Sequence, residues 1–138
     1  MNVVFISPHF PEYYHNFCSR LKDRGVNVLG VGDCPYEMIS DETKNSLTEY
    51  YYVGSLENYD EVYRACAYFS SQYGKIDWIE SENEYWLELE ATLRRDFNVT
   101  TGPQIQDMRW MKYKSAMKEV YKSAGLKVAD YIKLDTLD

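Results

Sequence analysis

Three short stretches carry residues able to handle a polar small molecule. Residues 80–84 read Glu-Ser-Glu-Asn-Glu, which sets carboxylates at every second position. Such a cluster could bind a cation, accept hydrogen bonds from a substrate amine, or cap the helix that follows it. Residues 7–11 read Ser-Pro-His-Phe-Pro, and His9 there could polarise a carboxylate or a carbonyl. Lys114, Lys118 and Lys122 recur at i, i+4 spacing and so form one row along a helix, either a solvated face or a cationic edge.

Other chemistries are excluded by what is missing. No GxGxxG follows the first strand, since residues 7–24 hold no glycine, and there is no GxxxxGK[ST] phosphate loop. Cys18, Cys34 and Cys66 are widely separated, with only His9 and His15 to assist, which argues against a zinc site and a disulfide framework. The formal charge of -7 opposes binding to duplex nucleic acid. Aromatic and lysine side chains do interleave around Trp110 and Lys122, but most of those aromatics share one stripe and read as packing. No apolar run is long enough to span a membrane, and no secretory signal precedes the first strand, so a reduced cytoplasmic setting is expected.

The elements that must position these residues alternate strand and helix. Residues 3–6 are a continuous apolar run, expected as a strand buried on both faces, and a helix from Glu12 to Gly25 follows with Tyr14, Phe17, Cys18 and Leu21 on one side. Residues 26–31, 50–53 and 76–79 repeat the strand signal, with a fifth short strand beginning at Val99. Residues 33–49 are harder to read, with a short helix expected from Ser40. Helices are expected after Asn58 or Asp60, ending at Gly74, and after Ser81 or Asn83, with Trp86, Leu89, Leu93 and Phe97 at helical spacing. This order predicts an α/β, Rossmann-like three-layer domain with a mostly parallel sheet of about five strands. In such sheets ligands gather at the carboxyl ends of the strands, so loops 7–11 and 80–84 should open on one edge.

Charge then changes along the chain. Residues 1–102 hold 8 basic and 17 acidic side chains, while residues 103–138 hold 7 and 5. Residues 107–124 are expected as one helix, with Trp110, Tyr113, Met117, Val120, Tyr121 and Ala124 on one face. Residues 128–134 are expected as a strand without a partner, as in a chain that stops within a second domain. Such a strand exposes backbone donors and acceptors, and could pair two copies as a homodimer.

The run Ile79-Glu80-Ser81-Glu82-Asn83-Glu84 with its aromatic-rich helix resembles the Ser-Glu-Asn turn after the fourth strand in biotin carboxylases. The whole order of elements is similar to the preATP-grasp domain of carboxylate-amine ligases and carbamoyl phosphate synthase. Residues 107–130, with Lys114 before Ala124-Gly125 and then Leu126-Lys127-Val128-Ala129, resemble the linker into the ATP-grasp fold. The resemblance implies a preATP-grasp domain over residues 1–102, a linker helix over 103–125 and the start of an ATP-grasp domain over 126–138. It implies an enzyme that uses ATP and Mg2+, both held mainly by a further C-terminal part, to activate a carboxylate as an acylphosphate and join it to an amine. On this basis Lys114 would contact an ATP phosphate, and Ser7, His9, Glu82 and Asn83 would border the small-molecule carboxylate or amine. Segment 7–11 departs from the family in lacking a glycine turn. The alternative reading is a stand-alone flavodoxin-like domain that binds a small ligand or a protein through the 80–84 edge.

Overall fold

In the computed structural model, which describes residues 1–134, four strands form one parallel sheet. They are β1 (Asn2–Ile6), β2 (Asn27–Gly32), β3 (Glu49–Tyr52) and β4 (Trp78–Glu80), in the order β3-β2-β1-β4. Six helices accompany them: α1 (His15–Lys22), α2 (Asp41–Ser46), α3 (Tyr59–Tyr73), α4 (Leu87–Asp96), α5 (Met108–Lys112) and α6 (Lys114–Ser123). The α/β architecture is thus the Rossmann-like one that alternation predicts.

Because successive strand residues point to opposite faces, β1 feeds two cores. Val4 and Ile6 join Leu29, Val62, Phe69, Ile79 and Leu93 under α3 and α4. Val3 and Phe5 join Tyr14, Cys18, Val28 and Leu47 under α1 and α2. Asn2 closes the start of β1 by donating to the carbonyls of Tyr73 and Lys75 at 2.8 and 2.9 Å.

The helix starting near Ser40 is present. The Ser40 hydroxyl accepts from the Thr43 amide at 3.2 Å, with Asp41 and Glu42 in the first turn where the helix dipole favours them. Ser40→Ala is expected to cost about 1 kcal/mol, the usual worth of an N-cap, read as a lower urea midpoint with an unchanged slope.

Three expected elements differ. The segment from Val99 turns beside β4 without entering the ladder: the Val99 amide is taken by the Arg94 carbonyl at 2.8 Å, and the Thr101 hydroxyl donates to the Asp77 carbonyl at 2.5 Å. The sheet therefore has four strands among the described residues. The single helix expected over 107–124 breaks at Tyr113, which is extended (φ -93°, ψ 106°). Its hydroxyl donates to Glu88 at 3.2 Å beside the Lys112–Glu88 ion pair at 3.1 Å, so α5 is tied to α4 and α6 departs on its own. Finally, residues 128–134 form no strand; Tyr131 instead docks on α6 through Glu119, under the ammonium of Lys118. The rest of the expected terminal unit, residues 135–138, lies outside the described residues. Met108 is the last buried side chain among those described.

Candidate functional site

Chain order makes β1 and β4 the switch point of the sheet. From β1 the chain winds through α1 to β2 and through α2 to β3, then crosses by α3 to the opposite side of β1. Loops leaving neighbouring strands in opposite directions open a crevice between them at their carboxyl ends. The two loops singled out from sequence, 7–11 and 80–84, flank that crevice.

Both loops bend through left-handed backbone at residues other than glycine: Ser7 has φ 57° and Glu82 has φ 58°. Ser7 thus occupies the conformation that a glycine turn would supply, at an energetic cost that surrounding contacts must offset. Its amide donates to the Val31 carbonyl at 2.8 Å, and its hydroxyl donates to the Phe10 carbonyl at 3.1 Å. The Tyr14 hydroxyl donates to the Glu82 carbonyl at 2.7 Å, which fastens the turn following the first loop to the second loop. Ser81 turns under the second loop, accepting the Asn83 amide at 3.1 Å, while Asn83 Oδ1 caps the next turn by accepting from the Tyr85 amide at 3.0 Å.

Two pockets adjoin here and share Asn83. The first, about 430 Å³, brings Ser7, His9, Asp33, Asn83, Tyr85 and Trp86 together. His9 Nε2 lies 3.4 Å from Asp33 Oδ1, and burial holds the imidazole below its ordinary range against the pull of that carboxylate. Its Nδ1 is buried and meets no hydrogen-bond partner among the described residues. Gly32 makes this packing possible, because a Cβ there would lie 2.8 Å from His9 Nδ1 and collide with the Tyr50 hydroxyl. A neutral imidazole beside a carboxylate, an amide and two aromatic rings suits an uncharged or cationic polar group carried on an apolar body.

The second pocket, about 410 Å³, is lined by Glu80, Glu82, Asn83, Glu84, Glu90 and Lys114. Lys114 is exposed at the start of α6, and its ammonium meets no hydrogen-bond or ion-pair partner among the described residues. Lys118 and Lys122 do not join it: both stand over the Tyr131 ring, at 4.6 and 5.2 Å. The structure therefore brings four sequence-predicted residues, Ser7, His9, Asn83 and Glu82, to one crevice, with Lys114 on its far rim.

Behind the second pocket lies a network that sequence reasoning missed. Arg94, fully buried, reaches Glu80 at 3.0 Å and Glu90 at 3.1 Å, donates to the Pro103 carbonyl at 2.7 Å, and also donates to the Ile79 carbonyl. Ser81 donates to the other oxygen of Glu90. One guanidinium serves two carboxylates, so burial outweighs its attraction; Glu80 is raised, and Glu90 is pushed up to about 7. The available signal was the Glu90–Arg94 spacing of four beside the buried Ala91 and Leu93. Asp33 carried no signal and Tyr14 only that of a packed helix face, because only the fold brings Asp33 to loop 7–11 and Tyr14 to loop 80–84.

Among the described residues no group of three or more His, Cys, Asp or Glu side chains is arranged to hold a metal ion. The second pocket is acidic apart from Lys114, so a polyphosphate fits only the Lys114 rim and not its floor. No described helix is long and apolar enough to cross a membrane.

No protein-family model matches the sequence, and no curated protein does either. Among solved structures the fold has a counterpart in the crystal structure of an L-amino acid ligase from Bacillus licheniformis. The two share a TM-score of 0.65 over 91% of this chain, at 14% sequence identity. The present chain spans only 30% of that ligase's length. At that identity the likeness establishes a common fold: a parallel, Rossmann-like α/β domain that also forms part of a ligase.

Proposed function

We propose that this chain is the N-terminal, preATP-grasp domain of an ATP-dependent ligase that joins a carboxylate to an amine, and that these residues alone do not catalyse the reaction. The observation that carries this reading is the switch-point crevice, where Ser7, His9, Glu82 and Asn83 line two pockets that share Asn83, the second of them rimmed by Lys114. The fold shared with part of an L-amino acid ligase supports it. ATP, when bound, supplies the phosphoryl group that turns a carboxylate into an acylphosphate.

The work of this chain is binding and orientation. Glu82 and Glu84 present acceptors to an amine, and the Asn83 amide offers both donor and acceptor at the junction of the pockets. His9, held neutral, donates or accepts one hydrogen bond without adding charge. Lys114 supplies a cation at the rim, where it can neutralise charge on a phosphate held by the further ATP-binding part. ATP and Mg2+ are both held mainly by the further C-terminal part.

Lys114→Ala in a polypeptide that includes the ATP-binding part is expected to raise the KM for ATP about tenfold, the worth of one charged hydrogen bond. Because Lys114 is exposed and unpaired, the urea midpoint should stay in place. Unchanged kinetics would remove the phosphate role.

A further inference from the structure

Charge in the first pocket is unbalanced. Its lining holds one carboxylate, Asp33, and no lysine or arginine. The nearest basic group is His9, at 3.4 Å, and burial keeps that imidazole uncharged. The Leu56 amide, 3.4 Å from Asp33 Oδ2, brings a dipole but no charge. The Asp33 carboxylate therefore has no cation to balance it among the described residues. The chain as a whole, at -7, adds a field that draws cations inward.

Beside this carboxylate the walls are aromatic. The rings of Tyr85 and Trp86 have centroids 4.7 Å apart and planes at 88°, so they form two sides of a corner. Trp86 is held by packing against the core, and Tyr85 by donating its hydroxyl to Glu57, a second carboxylate without a lysine or arginine partner among the described residues. Phe10 and Leu56 complete the apolar lining. An aromatic face attracts a cation through its ring quadrupole, most strongly where water is displaced. Ser7 and Asn83 add acceptors: the Ser7 hydroxyl gives its proton to the Phe10 carbonyl and keeps its lone pairs, and Asn83 Oδ1 uses one of two on the Tyr85 amide. One carboxylate among rings is too poor in oxygen for a hard metal ion, which takes about six oxygen ligands, and an anion would meet Asp33 with nothing to offset it.

We infer that the first pocket takes one ammonium group of a diamine substrate, with its charged head against Asp33 and its alkyl stem along Trp86 and Leu56. The two pockets share Asn83, so a short alkyl chain carries the other amine into the second, where Glu82 and Glu84 receive it. This rests on the ligase reading and narrows the amine it joins to a class with two basic groups.

The 138-residue chain is titrated with cadaverine, and with pentanediol as an uncharged probe of the same length. Binding is followed at pH 7.5 by the NMR signals of the Trp86 indole and Asn83 side-chain amide in the first pocket and of the Glu84 backbone amide in the second. Cadaverine should shift all three saturably and bind at least about tenfold more tightly than the diol, the worth of one charged hydrogen bond. Asp33→Asn keeps an oxygen for the Leu56 amide, and should cut the affinity for cadaverine about tenfold while leaving that for the diol in place. Tyr85→Leu, at a position 62% exposed, should weaken cadaverine about threefold through the lost ring face. Absence of saturable shifts, equal affinity for the two probes, or a cadaverine affinity unmoved by Asp33→Asn would overturn the inference; should that variant fail to fold by circular dichroism, an affinity unmoved by Tyr85→Leu would do the same. None of these readouts uses ATP. A failed titration would leave the ligase reading to the Lys114 kinetics, and failed Lys114 kinetics would leave the cation pocket standing without its reacting amine.

Discussion

Arg94→Met is expected to destabilise the domain by about 3–5 kcal/mol at neutral pH, a large share of the stability of a domain this size. The side chain is fully buried and neutralises Glu90, itself 2% exposed, and Glu80, 28% exposed. Methionine fills much of the volume but leaves two carboxylates facing each other in low dielectric, with the Ile79 and Pro103 carbonyls without their donor. Urea unfolding followed by tryptophan fluorescence at pH 7.5 and pH 5 separates these losses. The carboxylates protonate as pH falls, so the deficit should shrink markedly at pH 5, while the lost carbonyl bonds persist. A deficit of the same size at both pH values would mean that Arg94 acts by packing and not by charge.

Arg94 also explains why the crevice is placed where it is. Its contacts tie the end of β4, the first turns of α4 and the start of the segment leading to Lys114 into one rigid corner. Loosening that corner would remove the anchor behind loop 80–84, so the shape of the second pocket should suffer together with stability.

Four of the five expected strands could be read from sequence because each is a short apolar or aromatic run closed by turn chemistry, with helix periodicity between the runs fixing the faces, whereas the fifth, from Val99, is drawn into a turn by the Arg94 carbonyl. Loops 7–11 and 80–84 followed from that topology alone. What could not be read depends on contacts distant in sequence. Tyr113 breaks a helix whose local periodicity is unbroken, because Glu88 holds it from α4. Residues 128–134 have strand propensity, yet an isolated strand finds no ladder, and among the described residues Tyr131 packs on α6 instead. Ser7 adopts left-handed backbone without a glycine to announce it, and Glu90 with Arg94 look like an ordinary surface pair until α4 is rotated against the sheet.

Glu90→Gln should remove the share of the pH dependence of stability between pH 4.5 and pH 7 that Glu90 carries. The folded protein holds a proton on Glu90 up to about 7, against an ordinary value of 4.5. A raised carboxyl pKa means that the native state binds the proton more tightly than the unfolded one. Its contribution is therefore complete below 4.5 and is lost as pH rises through 7, a decline of about 3 kcal/mol for a shift of this size. Glutamine stands in for the protonated form, keeps an oxygen for the Ser81 hydroxyl, and leaves Arg94 to Glu80 alone. The variant should match the wild type near pH 4.5 and exceed its stability at pH 8 by about 2–3 kcal/mol. The same logic fixes the sign of the double variant: adding Glu90→Gln to Arg94→Met removes one of the two stranded charges, so it should recover part of the lost stability at pH 7.5. Strict additivity of the two changes would show that Glu90 and Arg94 do not share a charge balance, and the account of this corner would have to be abandoned.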